Sequence, residues 1–136
     1  MRQHLETAGL AESVRLDSAG TGGWHVGDPP SRRAVVAAAE RGYDLSALKA
    51  RQFRIRDFSE FEVIFGMDEG HIDFLVRSRP GTSASRLHRF MDFADRNQGI
   101  EVPDPYYGDE RDYAYALDLI EEGAEGIVRA LRDGNL

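Results

Sequence analysis

Apolar and polar positions change spacing from one segment of the chain to the next, and the changes mark its elements. "MRQHLETAGL" carries Leu5 and Ala8 on one face and stops at Gly9, which predicts about two helical turns. "SVRLDSAGTGG" alternates Val14 and Leu16 and then runs into small residues, the pattern of a short strand entering a loop. In "PPSRRAVVAAAERGYDL", Ser31 is placed to cap a helix made of the Ala/Val run, and Gly42 to close it. "FEVIFGMD" is a compact apolar run of the kind a buried parallel strand needs.

Beyond it, "MDEGHIDFLVRSRPG" spaces Ile72, Leu75 and Val76 for a helix ended by Pro80, and "SRLHRFMDF" is a further strand candidate. The last segment has the fullest helical pattern, with Tyr113, Ala116, Leu117, Ile120, Ala124, Ile127 and Leu131 on one side. Acidic residues lead it and Arg129 and Arg132 end it, as the helix dipole favours, while Gly123 and Gly126 are expected to weaken its interior. Strand and helix alternate throughout, which predicts one α/β domain over residues 1–136 with a parallel sheet.

The opening helix is the odd piece. Isolated helices below about 12 residues barely form in water, and in an α/β unit a strand normally precedes the helix that leads into the next strand. The chain is therefore expected to begin inside its first helix.

Composition narrows the function classes. Hydrophobic residues at 41% and charged residues at 30% describe an ordinary globular protein, with no apolar run near the length of a membrane span. The N-terminus lacks the basic-then-apolar layout of a signal peptide, so no membrane partner and a cytoplasmic location are the expectations. A net charge of −7, from 17 basic against 24 acidic residues, makes the surface repel nucleic acid. The sequence has no cysteine, which excludes disulfides, thiolate metal sites and a thiolate nucleophile from these residues.

Two stretches carry candidate chemistry. In "VPDPYYGDE" the prolines on either side restrict the backbone at Asp104, and Gly108 frees it again. Such a segment is either a surface turn or a carboxyl group held beside an aromatic wall, where an acid catalyst could use it. In "DSAGTGGWHVGDPPSRRA" the lone Trp24 lies in a glycine-rich loop past a strand's carboxyl end, the edge of a parallel sheet where ligand sites gather. It either packs over its own loop or contacts a ligand. His4, His25, His71 and His88 are scattered, so no metal site is expected; Asp68 and His71, three apart at a helix start, read as a cap or a surface contact. No phosphate-binding or dinucleotide fingerprint is present, and no cofactor is expected.

Together, a loop Trp, a proline-clamped Asp and a Tyr pair would suit a flat aromatic substrate whose leaving oxygen needs a proton. At these residues the sequence resembles the low-molecular-weight protein tyrosine phosphatases, through "DSAGTGGWHVGDPP", "RGYDLSALKARQF", "FEVIFGMDEGH" and "DPYYGDERDY", in the family's order and over essentially the whole chain. The resemblance implies a small parallel sheet of four strands between helical layers. It also implies a metal-free phosphoryl transfer, in which a cysteine thiolate attacks the phosphate while backbone N–H groups and an arginine hold its oxygens. Asp104 then stands where the family's general acid stands, protonating the leaving tyrosyl oxygen and later helping to activate water. A free Asp titrates near about 3.9, so an acid there would need its pKa raised, by the dianionic phosphate and partial burial. Trp24, Tyr106 and Tyr107 match the walls of the substrate cleft. The implied partner is a phosphotyrosine-containing protein or a small aryl phosphate.

The sequence departs from the family in what is missing. The hydrophobic first strand and the C-x5-R-[ST] phosphate loop are absent, and "MRQHLETAGL" resembles the helix that follows that loop. Ala47-Leu48 replaces the Gly-His of many members, so the histidine that supports the phosphate loop is also absent. Two expectations follow: a phosphatase whose nucleophile lies outside these residues, or a catalytically inactive homologue that acts by binding. An arsenate reductase on the same fold is a third, and it would need redox cysteines.

Overall fold

The structure is a computed structural model describing residues 1–136. In chain order it contains helix α1 (Arg2–Thr7), α2 (Arg32–Ala39), the single turn α3 (Asp57–Glu60), strand β1 (Val63–Gly66), α4 (Glu69–Ser78), β2 (Arg86–Arg89) and α5 (Glu110–Arg132). Short 3-10 turns lie at Ala11–Ser13 and Phe90–Phe93.

The helix starts follow local chemistry. Ser31 Oγ accepts from the Ala34 amide and caps α2, and Asp68 accepts from the His71 amide and caps α4, so the Asp68–His71 spacing is indeed a cap. Asp109 and Asp112 cap α5 reciprocally, each side chain taking the other's backbone N–H. Gly9 and Gly42, just past α1 and α2, adopt φ of +72° and +85°, conformations that a side chain would strain.

β1 and β2 pair in parallel, Val63 opposite Arg86 and Gly66 opposite Arg89. Side chains alternate across a strand, so β1 has two working faces. Phe65 packs with Met67 against the core formed by Phe90, Met91, Ala94, Val102, Ala116, Leu119, Ala124 and Ile127, on the α5 side. Gly66 faces α4, where a Cβ would sit 2.9 Å from Ile72. Helices thus cover both faces of a small parallel sheet, the expected α/β layering. No helix is long and apolar enough to cross a membrane.

Three expectations need correction. The segment 14–19 forms no strand: it is extended at Val14 but joins no ladder, and the only pairing nearby is a single parallel bridge between Gly20 and Gln52. An alternating pattern provides strand-like side chains, but a strand also needs a neighbour to accept its backbone bonds. β1 is half-buried until Gly66, although its apolar run predicts a buried strand, because β2 is its sole ladder partner. Gly123 and Gly126 are not merely weak points of α5. A Cβ at Gly126 would run into the Phe93 carbonyl oxygen, and one at Gly123 would lie 2.6 Å from the Phe90 ring. The missing side chains let the 90–93 turn dock directly on the helix.

Candidate active site

The loop that carries Asp104 is built from successive local bonds. Asp104 Oδ1 accepts the Tyr106 N–H at 3.0 Å, an Asx turn that fixes the carboxylate relative to the backbone after it. The Gly108 N–H then bonds the Pro105 carbonyl at 2.8 Å, closing a turn over residues 105–108. The capping box at Asp109 follows at once and starts α5. Gly108 is needed for space and not for an unusual φ, since a Cβ there would overlap the Asp112 carboxylate. The Asp109 carboxyl is held below the usual carboxylate range, first by the Asp112 backbone N–H.

Asp104 is exposed, so the partial burial expected of it is not supplied by this chain. Its Oδ2 has no protein partner. Tyr106 and Tyr107 stand edge to face with ring centroids 4.9 Å apart, 54% and 95% exposed. Rings this exposed contribute little to the core and present apolar surface to solvent.

Trp24 lies on a separate loop and is 82% exposed. Its six-membered ring folds back over Gly22, within 2.5–2.7 Å of where a Cβ would sit, and its ring partner is His25 at 6.4 Å. It makes no ring contact with Tyr106 or Tyr107. The structure therefore brings Asp104, Tyr106 and Tyr107 together on one loop and leaves Trp24 as a projecting second element.

The Trp24 loop is held by the segment after it. Ala50 donates to Asp28 and accepts from Gly27, while Arg51 accepts from Gly20 and Phe53 donates to it. Arg51 also bridges two carboxylates, Asp17 at 3.0 Å and Asp57 at 2.9 Å. Asp57 is 1% exposed. Burial pushes its carboxyl up, and this is the largest single influence, but the Arg51 guanidinium and the Arg54 N–H together outweigh it and hold the group below its ordinary range.

Sequence reasoning missed two residues here, Arg51 and Arg33. Arg33, on the first turn of α2, donates to the Gly108 carbonyl and lies 4.9 Å from the centre of the Tyr113 ring. Ser31 Oγ and Tyr113 OH approach to 3.5 Å at the same junction. Arg33 reaches partners 75 and 80 positions away, and Arg51 ties Asp57 to Asp17, 34 positions before it, so no short-range pattern marks either arginine.

The family model described as low molecular weight phosphotyrosine protein phosphatase matches residues 1–135. The chain belongs to this family. It is 37% identical over 135 residues to a low molecular weight protein-tyrosine-phosphatase of Streptomyces coelicolor, covering 97% of this chain and 82% of that protein. It is 37% identical over 126 residues to low molecular weight phosphotyrosine protein phosphatase 1 of Drosophila melanogaster, covering 93% and 72%. Among solved structures, a protein tyrosine phosphatase from Entamoeba histolytica with Hepes in its active site superposes with a TM-score of 0.93 at 30% identity, covering 99% of this chain and 86% of the other. The family's fold is thus shared over nearly the whole chain, in a sequence without cysteine.

Proposed function

We propose that this chain serves protein-tyrosine-phosphatase chemistry through a phosphocysteine, with Asp104 as general acid and the cysteine nucleophile lying outside these 136 residues. The observation that carries the reading is the state of Asp104: one carboxylate oxygen is fixed by the Tyr106 N–H while the other is free at the surface. A proton on the free oxygen can pass to the leaving tyrosyl oxygen as the thiolate bonds to phosphorus and the P–O bond breaks. The resulting carboxylate can then take a proton from the water that releases phosphate from the cysteine. Tyr106, Tyr107 and Trp24 supply aromatic surface for the substrate ring, and the substrate is a phosphotyrosine-containing protein or a small aryl phosphate.

A second reading rests on the absence of cysteine: the chain binds through the same aromatic walls and catalyses nothing. Both are tested by assaying aryl phosphate hydrolysis by the 136-residue chain and by a form extended with a hydrophobic strand and a C-x5-R-[ST] loop. The expected result is background turnover in the first and vanadate-sensitive turnover in the second. Turnover by the chain alone would overturn the need for an outside nucleophile, and an inert, folded extended form would favour the binding reading.

A further inference from the structure

The acid loop has one anchor outside itself and α5. Every hydrogen bond within residues 103–109 is local or runs to the first turn of α5, except the bond that the Arg33 guanidinium donates to the Gly108 carbonyl. The same guanidinium lies 4.9 Å from the centre of the Tyr113 ring, and Tyr113 is buried, so the ring gives Arg33 a fixed seat from which it reaches the Gly108 carbonyl. Gly108 closes the turn that begins at Pro105, directly after Asp104. Holding the Gly108 peptide therefore limits the rotation of that turn as a unit.

Arg33 also connects the two aromatic elements. It sits two residues past Ser31, the cap of α2, and α2 follows the Trp24 loop without an intervening element. The far end of α2 is secured separately: Arg41 bonds Asp118 at 2.8 Å and the Ala114 carbonyl at 3.1 Å, and Tyr43 OH bonds Glu121 at 3.0 Å. α2 thus stays on α5 without Arg33, which leaves the Arg33 bond free to serve the loop.

We propose that Arg33 is a positioning residue, holding the 104–108 turn in one orientation relative to the Trp24 loop. The inference rests on the reading of Asp104 as the acid, and it can fail separately from it. Amide order parameters of Tyr106, Tyr107 and Gly108, measured by NMR on the 136-residue chain, test it directly. In the wild type they should be near about 0.8, and in Arg33→Met they should fall below about 0.6, the boundary between ordered and flexible backbone. Arg33→Lys keeps a cationic donor over the Tyr113 ring but loses the planar guanidinium, and should restore much of the order. The urea midpoint should be unchanged in both, because Arg33 is exposed and the Arg41–Tyr43 cluster remains.

Unchanged order parameters in Arg33→Met would overturn the proposal. So would a lowered midpoint that Lys does not rescue, which would make Arg33 a packing residue of α2. If the loop loosens as expected but Asp104→Asn leaves turnover of the cysteine-bearing form unchanged, the acid assignment fails, and the tether is overturned as a positioning device for catalysis.

Discussion

At the scale of single residues, the site divides by how far each side chain reaches for its partner. Asp104 and Tyr106 are bonded across two positions, so the "DPYY" run already implied their arrangement. In the cysteine-bearing form, Asp104→Asn should lower kcat by roughly 10²–10⁴-fold on an aryl phosphate, the usual weight of general acid catalysis, with little change in KM. An unchanged kcat would remove Asp104 from the reaction. Asp57 is the opposite case, a buried carboxylate whose guanidinium partner comes from a loop edge and also holds Asp17. Asp57→Ala would leave Arg51 short of a partner and strip the Arg54 N–H of its acceptor, so it should destabilise the fold by about 3 kcal/mol in urea denaturation. A loss below about 1 kcal/mol, the range of exposed pairs, would show the pair to be a surface contact.

At the scale of elements, α5 decides most of the packing. Its amphipathic spacing is carried in the sequence: Tyr113, Ala116, Ala124 and Ile127 are buried as the pattern predicts, while Leu117, Ile120 and Leu131 are half-buried and Leu119, Val128 and Ala130, outside the pattern, are buried. Its glycines invert a local rule. Replacing an interior helix glycine by alanine ordinarily stabilises by about 1 kcal/mol. At Gly126 the added Cβ would press on the Phe93 carbonyl, a backbone atom that cannot rotate away. Overpacking of this kind costs about 1–3 kcal/mol, so Gly126→Ala should lower the urea midpoint. A raised midpoint would mean that the 90–93 turn can move off the helix.

At the scale of the whole molecule, charge sets the response to acid. Asp57, Asp109 and Glu122 have carboxyls held below their ordinary range, Asp57 against burial, Asp109 chiefly by the Asp112 N–H and Glu122 chiefly by the Asn97 N–H. Groups depressed in the folded state contribute stability above their unfolded pKa, about 4, and lose it as pH falls through the lower folded value. The urea midpoint should therefore be level from about pH 7 to 5 and drop below about pH 4. A midpoint that rises toward acid would contradict this assignment of the carboxylates. The same scale shows an apolar strand at a sheet edge: β1 reads Val-Ile-Phe-Gly, without the charges that usually guard an edge, and pairs only with β2.

The amino-acid pattern alone carried the longer helices, the Ser31 cap, the class of the fold and the turn at Asp104, because each depends on residues a few positions apart. Ser31, Asp68 and Asp109 meet amides within three positions, and periodicity places Tyr113, Ala116, Ala124 and Ile127 on the buried side of α5. It also established that these residues supply no thiolate. Packing in three dimensions decided which extended segments became strands, why Gly126 is a contact, and where Arg33 and Arg51 act. The β1–β2 pairing, the Gly126–Phe93 contact, the Arg51–Asp17 ion pair and the Arg33–Tyr113 cation–π contact join residues from 23 to 80 positions apart, and no local pattern records the partner.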